Sequence, residues 1–191
     1  MLSELTTAQP AARHREIAGA FTERVRGTRD WDAPAPVTGW TARDVVVHLV
    51  EWFPAFLSAG AAVELPAGPD PAVDPVGAWE AHAAAVQVLL DDPATADRTF
   101  DHPRLPGVQP LAEAIDRFYT SDVFMHTWDL ARATGQDERL DPDFCAALLA
   151  GMEPLDELLR SSGQYGPKVE LPDGADVQAR MLAFIGRDPR R

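Results

Sequence analysis

Apolar residues recur along most of the chain at the three-to-four-residue spacing of amphipathic helices. The pattern predicts an all-α protein, with one short extended piece at Thr99-Phe100. The predicted helices, in chain order, cover residues 3–26, 41–58, 75–90, 110–134, 141–160 and 175–184. Because the Gly- and Pro-rich connections at 60–74 and 91–109 are long, we expect a four-helix bundle with crossover loops and short C-terminal helices.

Residues with known capping preferences mark several helix ends. Thr41, followed three residues later by Asp44, has the pattern of a capping box. Asp74 precedes a proline at the first position of the third predicted helix, which is a favourable start. Gly135 is placed to end the fourth helix. Pro54 lies inside the second predicted helix, where we expect a kink or an early end.

The helix predicted at 110–134 carries charged groups on its core-facing stripe. At 100° per residue, this stripe consists of Leu111, Ile115, Phe118, Asp122, His126, Asp129 and Ala133. Charged groups facing a core are costly unless they are paired or bound to a metal. Asp122 and His126 are four residues apart, so their side chains lie one above the other on the helix surface.

The helix predicted at 41–58 offers a further candidate ligand. Its apolar face consists of Val45, Leu49, Trp52 and Phe56, and His48 lies at the edge of that face. A second imidazole from a neighbouring helix would complete a site of His48, Asp122 and His126 for one divalent ion. Zinc is the favoured metal, and nickel, iron or manganese also suit these ligands. The alternatives are a hydrogen-bonded core histidine at 48 and a local acid–imidazole pair on the other helix.

Other polar and aromatic residues near this pattern have two interpretations each. Asp129 can support a metal ligand and Arg132 can bind an anionic substrate group, or the two can form an intrahelical ion pair. Trp52, Trp128 and Tyr119 can line a pocket or pack within the bundle.

The other histidines have sequence contexts typical of exposed helix faces or loops, and we therefore place none of them among the ligands. They are His14, His82 and His102.

Composition and charge limit the possible partners. With 191 residues, 46% of them hydrophobic, the chain is sufficient for a single domain spanning 1–191. The net charge of −13 disfavours binding to nucleic acid or to an anionic membrane surface. We find no signal-peptide pattern and no apolar run that could span a bilayer, so we expect a cytoplasmic protein. The single cysteine, Cys145, lies in an apolar helical stretch, which favours a buried side chain over a nucleophile.

Three segments resemble a known family. The first runs from Gly39-Trp40-Thr41 to His48-Leu49, the second is His126-Thr127-Trp128-Asp129-Leu130-Ala131-Arg132-Ala133-Thr134-Gly135, and the third is 178–189. They are similar to segments of the DinB-like superfamily that includes the N-terminal domain of mycothiol-dependent maleylpyruvate isomerase. The second and third look most like an actinobacterial branch of metal-binding proteins.

The resemblance implies a four-helix bundle of DinB-like topology with a divalent metal near one end. The family's ligands fall on His48, Asp122 and His126, with aspartate here where the isomerase has the longer glutamate. The isomerase also has a larger C-terminal domain than this chain can hold, so its own reaction does not transfer.

Three classes of function follow as hypotheses. The first is a metal-dependent transferase or isomerase-like enzyme that uses a low-molecular-weight thiol, with mycothiol as co-substrate and a small electrophile as substrate. The second is a metal-dependent hydrolase in which Asp129 serves as general base. The third is a structural or sensory metal-binding bundle without catalysis. The sequence leaves open whether the protein acts alone or as a homodimer.

Overall fold

The computed structural model describes residues 2–161 and 163–190, which group into two compact units. The larger unit is Ala8–Glu138, and the smaller one combines residues up to Thr7 with those from Arg139 onward. Helices dominate both, which confirms the all-α prediction. The expectation of a single domain over 1–191 and the DinB-like topology of the bundle stay predictions. None of the described helices is long and apolar enough to cross a membrane.

Helices in the described residues are numbered in chain order. They are α1 (Glu4–Thr7), α2 (Pro10–Gly27), α3 (Ala42–Ala61), α4 (Pro75–Asp91), α5 (Leu111–Ala114), α6 (Ser121–Thr134), α7 (Pro142–Met152), α8 (Asp156–Ser161) and α9 (Val177–Phe184). Short 3₁₀ turns occupy Pro93–Asp97 and Glu153–Leu155.

Four long helices pack against one another in the larger unit. Helix α2 contacts α4 and α6, and α3 contacts the same two helices. Large side chains with no more than 1% exposure fill the space between them: Phe21, Leu49, Phe53, Leu57, Trp79, Ile115, Tyr119, Trp128 and Leu130. Burial of this apolar surface is the main stabilising contribution to the unit.

Local sequence signals set several helix ends as expected. The Thr41 side chain accepts a hydrogen bond from the Asp44 N–H at 3.3 Å, and the Asp44 carboxylate accepts one from the Thr41 N–H at 2.7 Å. The capping box is therefore confirmed. Asp74 caps α4, and Gly135 follows α6 in the left-handed conformation. Pro54 does not end its helix, because α3 continues to Ala61.

Two predicted helices are interrupted at proline. The predicted helix over 3–26 is divided into α1 and α2, since Pro10 lacks an N–H and occupies the first position of α2. The predicted helix over 141–160 is likewise divided into α7 and α8 by a 3₁₀ turn that contains Pro154. The prediction that these two helices are continuous was therefore wrong, because proline interrupts a helix even where the apolar spacing continues across it.

The predicted helix over 110–134 is also not uniform. It contains a π-helical segment, Ile115–Thr120, between α5 and α6. A π-helical turn takes one more residue than an α-helical turn, so it shifts which side chains face the core. Tyr119 is fully buried, whereas Phe118, which the 100° stripe assigned to the core, is only partly buried. The π-helical segment ends at Thr120, directly before α6. Regular α-helical spacing resumes at Ser121 and therefore includes Asp122.

A small antiparallel ladder interrupts the second crossover. Strands β1 (Thr99–Phe100) and β2 (Gln109–Pro110) pair with Phe100 opposite Gln109. The extended piece predicted at Thr99-Phe100 is therefore confirmed. Phe100 is 1% exposed and its ring lies 4.9 Å from that of Phe56, so the ladder covers part of α3.

The smaller unit is built mainly from α7 and α9, which pack together. The Asp141 side chain accepts a hydrogen bond from the Phe144 N–H at 2.7 Å and caps α7. The backbone N–H of Ser3 donates to the Asp143 carboxylate at 2.7 Å, which attaches the N-terminal residues to this unit. Cys145 is fully buried within it, as the sequence predicted.

Candidate metal centre

The three side chains singled out as candidate ligands converge in the larger unit. His48 is on α3, and Asp122 and His126 are one turn apart on α6. One donor atom from each residue lies within 4.8 Å of the other two. Asp122 is central, because its Oδ2 lies 3.1 Å from His48 Nε2 and its Oδ1 lies 3.5 Å from His126 Nε2. Each carboxylate oxygen thus faces one imidazole.

The centre is neither fully buried nor fully exposed. The side chains of His48, Asp122 and His126 are 31%, 20% and 6% exposed, so solvent or a ligand can approach from the α3 side. The indole N–H of Trp52 donates to Asp122 Oδ2 at 3.0 Å. Burial alone would raise the pKa of Asp122, but the two imidazoles and the indole N–H outweigh it and lower that pKa below its usual value. The carboxylate is therefore ionised at neutral pH.

Asp129 lies directly behind one of the imidazoles. Its carboxylate is completely buried, and its Oδ2 lies 2.9 Å from His126 Nδ1. The two residues are three apart on α6, so they share one face of that helix. A carboxylate at Nδ1 favours a proton on that nitrogen and leaves the lone pair on Nε2, which faces Asp122. The Asp129 carboxylate is thus near enough to influence the charge of the His126 ring, although the two groups are not aligned for a hydrogen bond.

Aromatic rings surround the imidazoles. Trp40, immediately before the N-cap of α3, lies 5.0 Å from the His48 ring and stacks 5.8 Å from the His126 ring at an angle of 16°. Trp40 belongs to the first family-like segment, but no pattern in the sequence singled it out as a residue of the site. Its loop is folded back, with the Ala42 N–H donating to the Ala33 carbonyl at 2.8 Å. This pairing within the loop positions the indole, and no helical period could reveal it.

The other residues proposed near the site have structural contacts. Trp128 is 1% exposed, and the Arg132 guanidinium lies 4.9 Å from the centre of its ring. Arg132 also donates two hydrogen bonds to the Glu138 carboxylate, at 2.5 and 2.8 Å. Its charge is therefore partly balanced within the protein. The ion pair expected between Asp129 and Arg132 stays a prediction.

Two of the three histidines assigned to exposed contexts are in fact buried. His14 is completely buried on α2 and His82 is 6% exposed on α4, so that prediction was wrong. Both lie in alanine-rich stretches, where few large side chains mark the buried face. His102 does lie in a loop, partly buried, with its ring 4.8 Å from that of Phe56.

The single thiol of the chain is buried and unreactive. Cys145 belongs to the smaller unit, and burial, followed by the charges of Asp141 and Asp176, raises its pKa to about 12. At neutral pH it is a protonated, inaccessible group, and a thiol in that state is a poor nucleophile and a poor metal ligand.

The residues of the centre fit a divalent metal ion. Two imidazole nitrogens and one carboxylate oxygen form a donor set that zinc and related ions use in sites with an open position. The donors come from two packed helices, so their separation is set by the core of the unit. Trp52 and Asp129 contact two of the three donors, as the outer partners of metal ligands commonly do.

Comparison with known proteins identifies relatives of this chain. It is 29% identical over 192 residues to the uncharacterized proteins MT0763 and Rv0738 of two Mycobacterium tuberculosis strains, covering 95% of this chain and 99% of each relative. No solved structure matches the chain. Residues 11–131, which contain the whole centre, match the sequence model of the mycothiol maleylpyruvate isomerase N-terminal domain. That match covers more than half of the sequence and confirms the resemblance, so the chain belongs to this family.

Proposed function

We propose that His48, Asp122 and His126 hold one divalent metal ion, and that the protein uses it as a thiol-dependent transferase or isomerase-like enzyme. The observation that carries the proposal is the convergence of three donor atoms within 4.8 Å, supported on the far side of His126 by the buried Asp129 carboxylate. Zinc is the favoured ion, since two nitrogens and one carboxylate oxygen suit it well.

The charge of the site favours an anionic co-substrate. Two neutral imidazoles and one carboxylate would leave a bound divalent ion with a net charge of about +1. Such an ion supplies Lewis acidity, which lowers the pKa of a thiol that coordinates to it. The residues of the chain then have defined tasks: Asp129 places a negative charge 2.9 Å from His126 Nδ1, and the Trp52 N–H donates to the Asp122 carboxylate. The Trp40 ring packs against both imidazoles and limits their rotation.

The nucleophile comes from outside the protein in this proposal. Cys145 is buried with a pKa raised to about 12, so it does not supply a reactive thiolate. An exogenous low-molecular-weight thiol fills that role, and the name of the family points to mycothiol. The partly exposed His48 side chain marks where such a molecule would reach the centre.

Cobalt substitution tests this function directly. The protein is loaded with Co²⁺ and titrated separately with mycothiol, glutathione and bacillithiol while the ultraviolet–visible spectrum is recorded. We expect mycothiol to produce a sulfur-to-cobalt charge-transfer band that saturates at one thiol per chain. The His126→Ala variant serves as the control and should give no band.

Three results would contradict this function. If none of the three thiols produces the band, thiol activation is wrong. If metal-dependent cleavage of ester or amide substrates then appears and is lost in His48→Ala, a hydrolase replaces the thiol-dependent enzyme. If Co²⁺ itself fails to bind, the metal centre is wrong.

A further inference from the structure

A second group of polar side chains lies inside the larger unit and belongs to no part of the candidate metal centre. It consists of His14 on α2, His82 on α4 and Tyr119 in the π-helical segment. Their exposures are 0%, 6% and 0%. Among the described residues, no group hydrogen-bonds to His14 Nε2, His82 Nε2 or the Tyr119 hydroxyl. We call these three residues the inner cluster.

The Tyr119 ring lies near both histidine rings of the inner cluster. The Tyr119 ring centre lies 5.9 Å from that of His14 and 5.5 Å from that of His82. On the other side of the His14 ring, Nδ1 lies 2.9 Å from Thr120 Oγ1, a hydrogen bond that fixes the ring. The ring therefore has one satisfied nitrogen and one unsatisfied nitrogen. Three helical segments thus bring three unpaired polar atoms to one region of the core.

Such a cluster is unusual because proteins satisfy nearly all buried polar groups. A single unpaired donor or acceptor in a core costs free energy comparable to a lost hydrogen bond, and three neighbouring ones add to that cost. The usual remedy is a buried water, which makes two to four hydrogen bonds to groups that the protein leaves unpaired. The inner cluster offers three.

We propose that His14 Nε2, His82 Nε2 and the Tyr119 hydroxyl form an internal hydrogen-bonding site that holds one neutral, water-sized guest, an ordered water molecule. Water matches these three atoms because it both donates and accepts. The phenol can donate or accept, and each neutral imidazole nitrogen does one or the other according to its tautomer. This site is independent of the proposed metal function.

The electrostatics of the cluster support a neutral guest. Burial lowers the pKa of His14 and of His82 to about 4, and the charges of His82 and Arg15 add to the effect at His14. Burial, followed by the charge of Asp122, raises the pKa of Tyr119 well above its usual value. All three side chains are therefore uncharged at neutral pH, and the cluster itself contains no carboxylate that could balance a cation.

The inner cluster also touches the wall of the candidate metal centre. The Tyr119 ring stacks 4.0 Å from Phe53 and lies 5.9 Å from Trp52, whose N–H donates to Asp122. A guest that fixes Tyr119 thereby fixes the packing behind that donor.

The direction in which one substitution shifts the melting temperature distinguishes an occupied site from an empty one. Tyr119→Phe removes only the hydroxyl. If a water bonds to it, the variant loses a hydrogen-bond partner, and we expect the melting temperature to fall by roughly 2–10 °C. If the site is dry, the variant removes an unsatisfied polar atom, and the melting temperature rises or stays unchanged, which would overturn the proposal. The same fall should appear in a His126→Ala background, because the inner cluster does not depend on the metal centre.

A crystal structure of the full chain, grown with Zn²⁺ present, gives the second readout. We expect one density peak of a water molecule within hydrogen-bonding distance of all three atoms, without anomalous signal at the zinc edge. In Tyr119→Phe the peak should weaken or disappear. An anomalous peak at the cluster would make it a second metal site, and an absence of density in the wild-type protein would make it a dry cavity. Either result would overturn the proposal.

Discussion

Two histidine clusters lie in the same helical unit, and they have opposite chemical character. In the candidate metal centre, His48 and His126 face the carboxylate of Asp122, and the side chains are between 6% and 31% exposed. In the inner cluster, His14 and His82 face a neutral phenol and are almost completely buried. The first arrangement favours a bound cation, and the second favours uncharged rings with a neutral guest.

The difference lies in what surrounds the imidazole, since both clusters place histidine on the core side of a helix. An acid one helical turn away and access to solvent turn a core histidine into a candidate ligand. Without an adjacent acid, burial has the largest effect on the pKa of the ring and keeps the ring neutral.

Replacing His126 by alanine should abolish stoichiometric metal binding. The variant removes one of three donors. Metal affinity should therefore fall by more than the roughly 10–100-fold typical of removing a residue that only contacts a ligand. Metal content after gel filtration and isothermal titration with Zn²⁺ measure the effect. His102→Ala is the matched control, because it removes a partly buried loop histidine that is not among the three donors. Unchanged metal content in His126→Ala would place the site elsewhere.

Acid should destabilise the protein through the inner cluster. The pKa of His14 and of His82 is about 4 in the folded state and about 6.5 when unfolded, so the unfolded chain binds more protons between these values. Stability from these groups is fully present above pH 6.5, falls as the pH drops, and is lost below about pH 4. Each histidine contributes up to about 3 kcal/mol.

Urea unfolding of metal-free protein at a series of pH values measures this loss. His82→Phe should flatten the dependence between pH 6.5 and 4 by up to half, while His102→Phe should leave it unchanged. Parallel curves for the wild-type protein and His82→Phe would contradict the buried neutral state of His82.

Removing metal should destabilise the protein through the candidate metal centre. An ion that binds only the folded state, present at 100 times its dissociation constant, stabilises it by about 2.7 kcal/mol. We therefore expect a chelator to lower the melting temperature by roughly 5–10 °C, and added Zn²⁺ to restore it. Differential scanning calorimetry provides the measurement, with His126→Ala as a control that should not respond. An unchanged melting curve after verified metal loss would argue against coupling of metal and fold.

Replacing Asp129 by asparagine should weaken metal binding without abolishing it. The carboxylate that lies 2.9 Å from His126 Nδ1 loses its charge, so its influence on the charge of the ring is lost. We expect affinity for Zn²⁺ to fall by roughly 10–100-fold while the stoichiometry at saturation stays at one. Glu138→Gln is the matched control, because it alters a carboxylate that pairs with Arg132. Complete loss of binding in Asp129→Asn would make Asp129 a direct ligand.

The smallest effect should come from Trp52→Phe. This change keeps an aromatic ring but removes the N–H that donates to Asp122 Oδ2 at 3.0 Å. One hydrogen bond to a charged group is worth about 1.5–3 kcal/mol when intact, and partial exposure of the site reduces that value. We expect affinity for Zn²⁺ to change by about 10-fold or less. Trp79→Phe, which removes a 2.8 Å bond to Thr22 instead, should leave metal affinity unchanged.

Local signals allowed much of the helical structure to be predicted. The capping box at Thr41, the cap at Asp74 and the left-handed Gly135 are formed by residues within four positions of one another, so the sequence contains the whole interaction. The prolines at 10 and 154 were also visible in the sequence. The apolar period continues across both of them, however, and so conceals the breaks that a missing N–H imposes.

The candidate metal centre was partly predictable for the same reason. The spacing of Asp122 and His126 is a local feature of one helix, and it pointed to the site directly. The contribution of Trp40 was not predictable, since its position depends on a loop that pairs with itself across nine residues. The burial of His14 and His82 was not predicted, because alanine-rich helices give little indication of which face is covered.

By itself the sequence determined the helices, their caps, and the pairing of acid and imidazole on α6, because these depend on side chains within one or two turns. Only the tertiary structure decided which histidines meet a carboxylate and which meet a phenol. The π-helical segment Ile115–Thr120 shows why, since one additional residue in a turn moved Tyr119 into the core in place of Phe118. That choice depends on how α2, α3 and α4 pack against the segment, and such packing involves residues far apart in the chain.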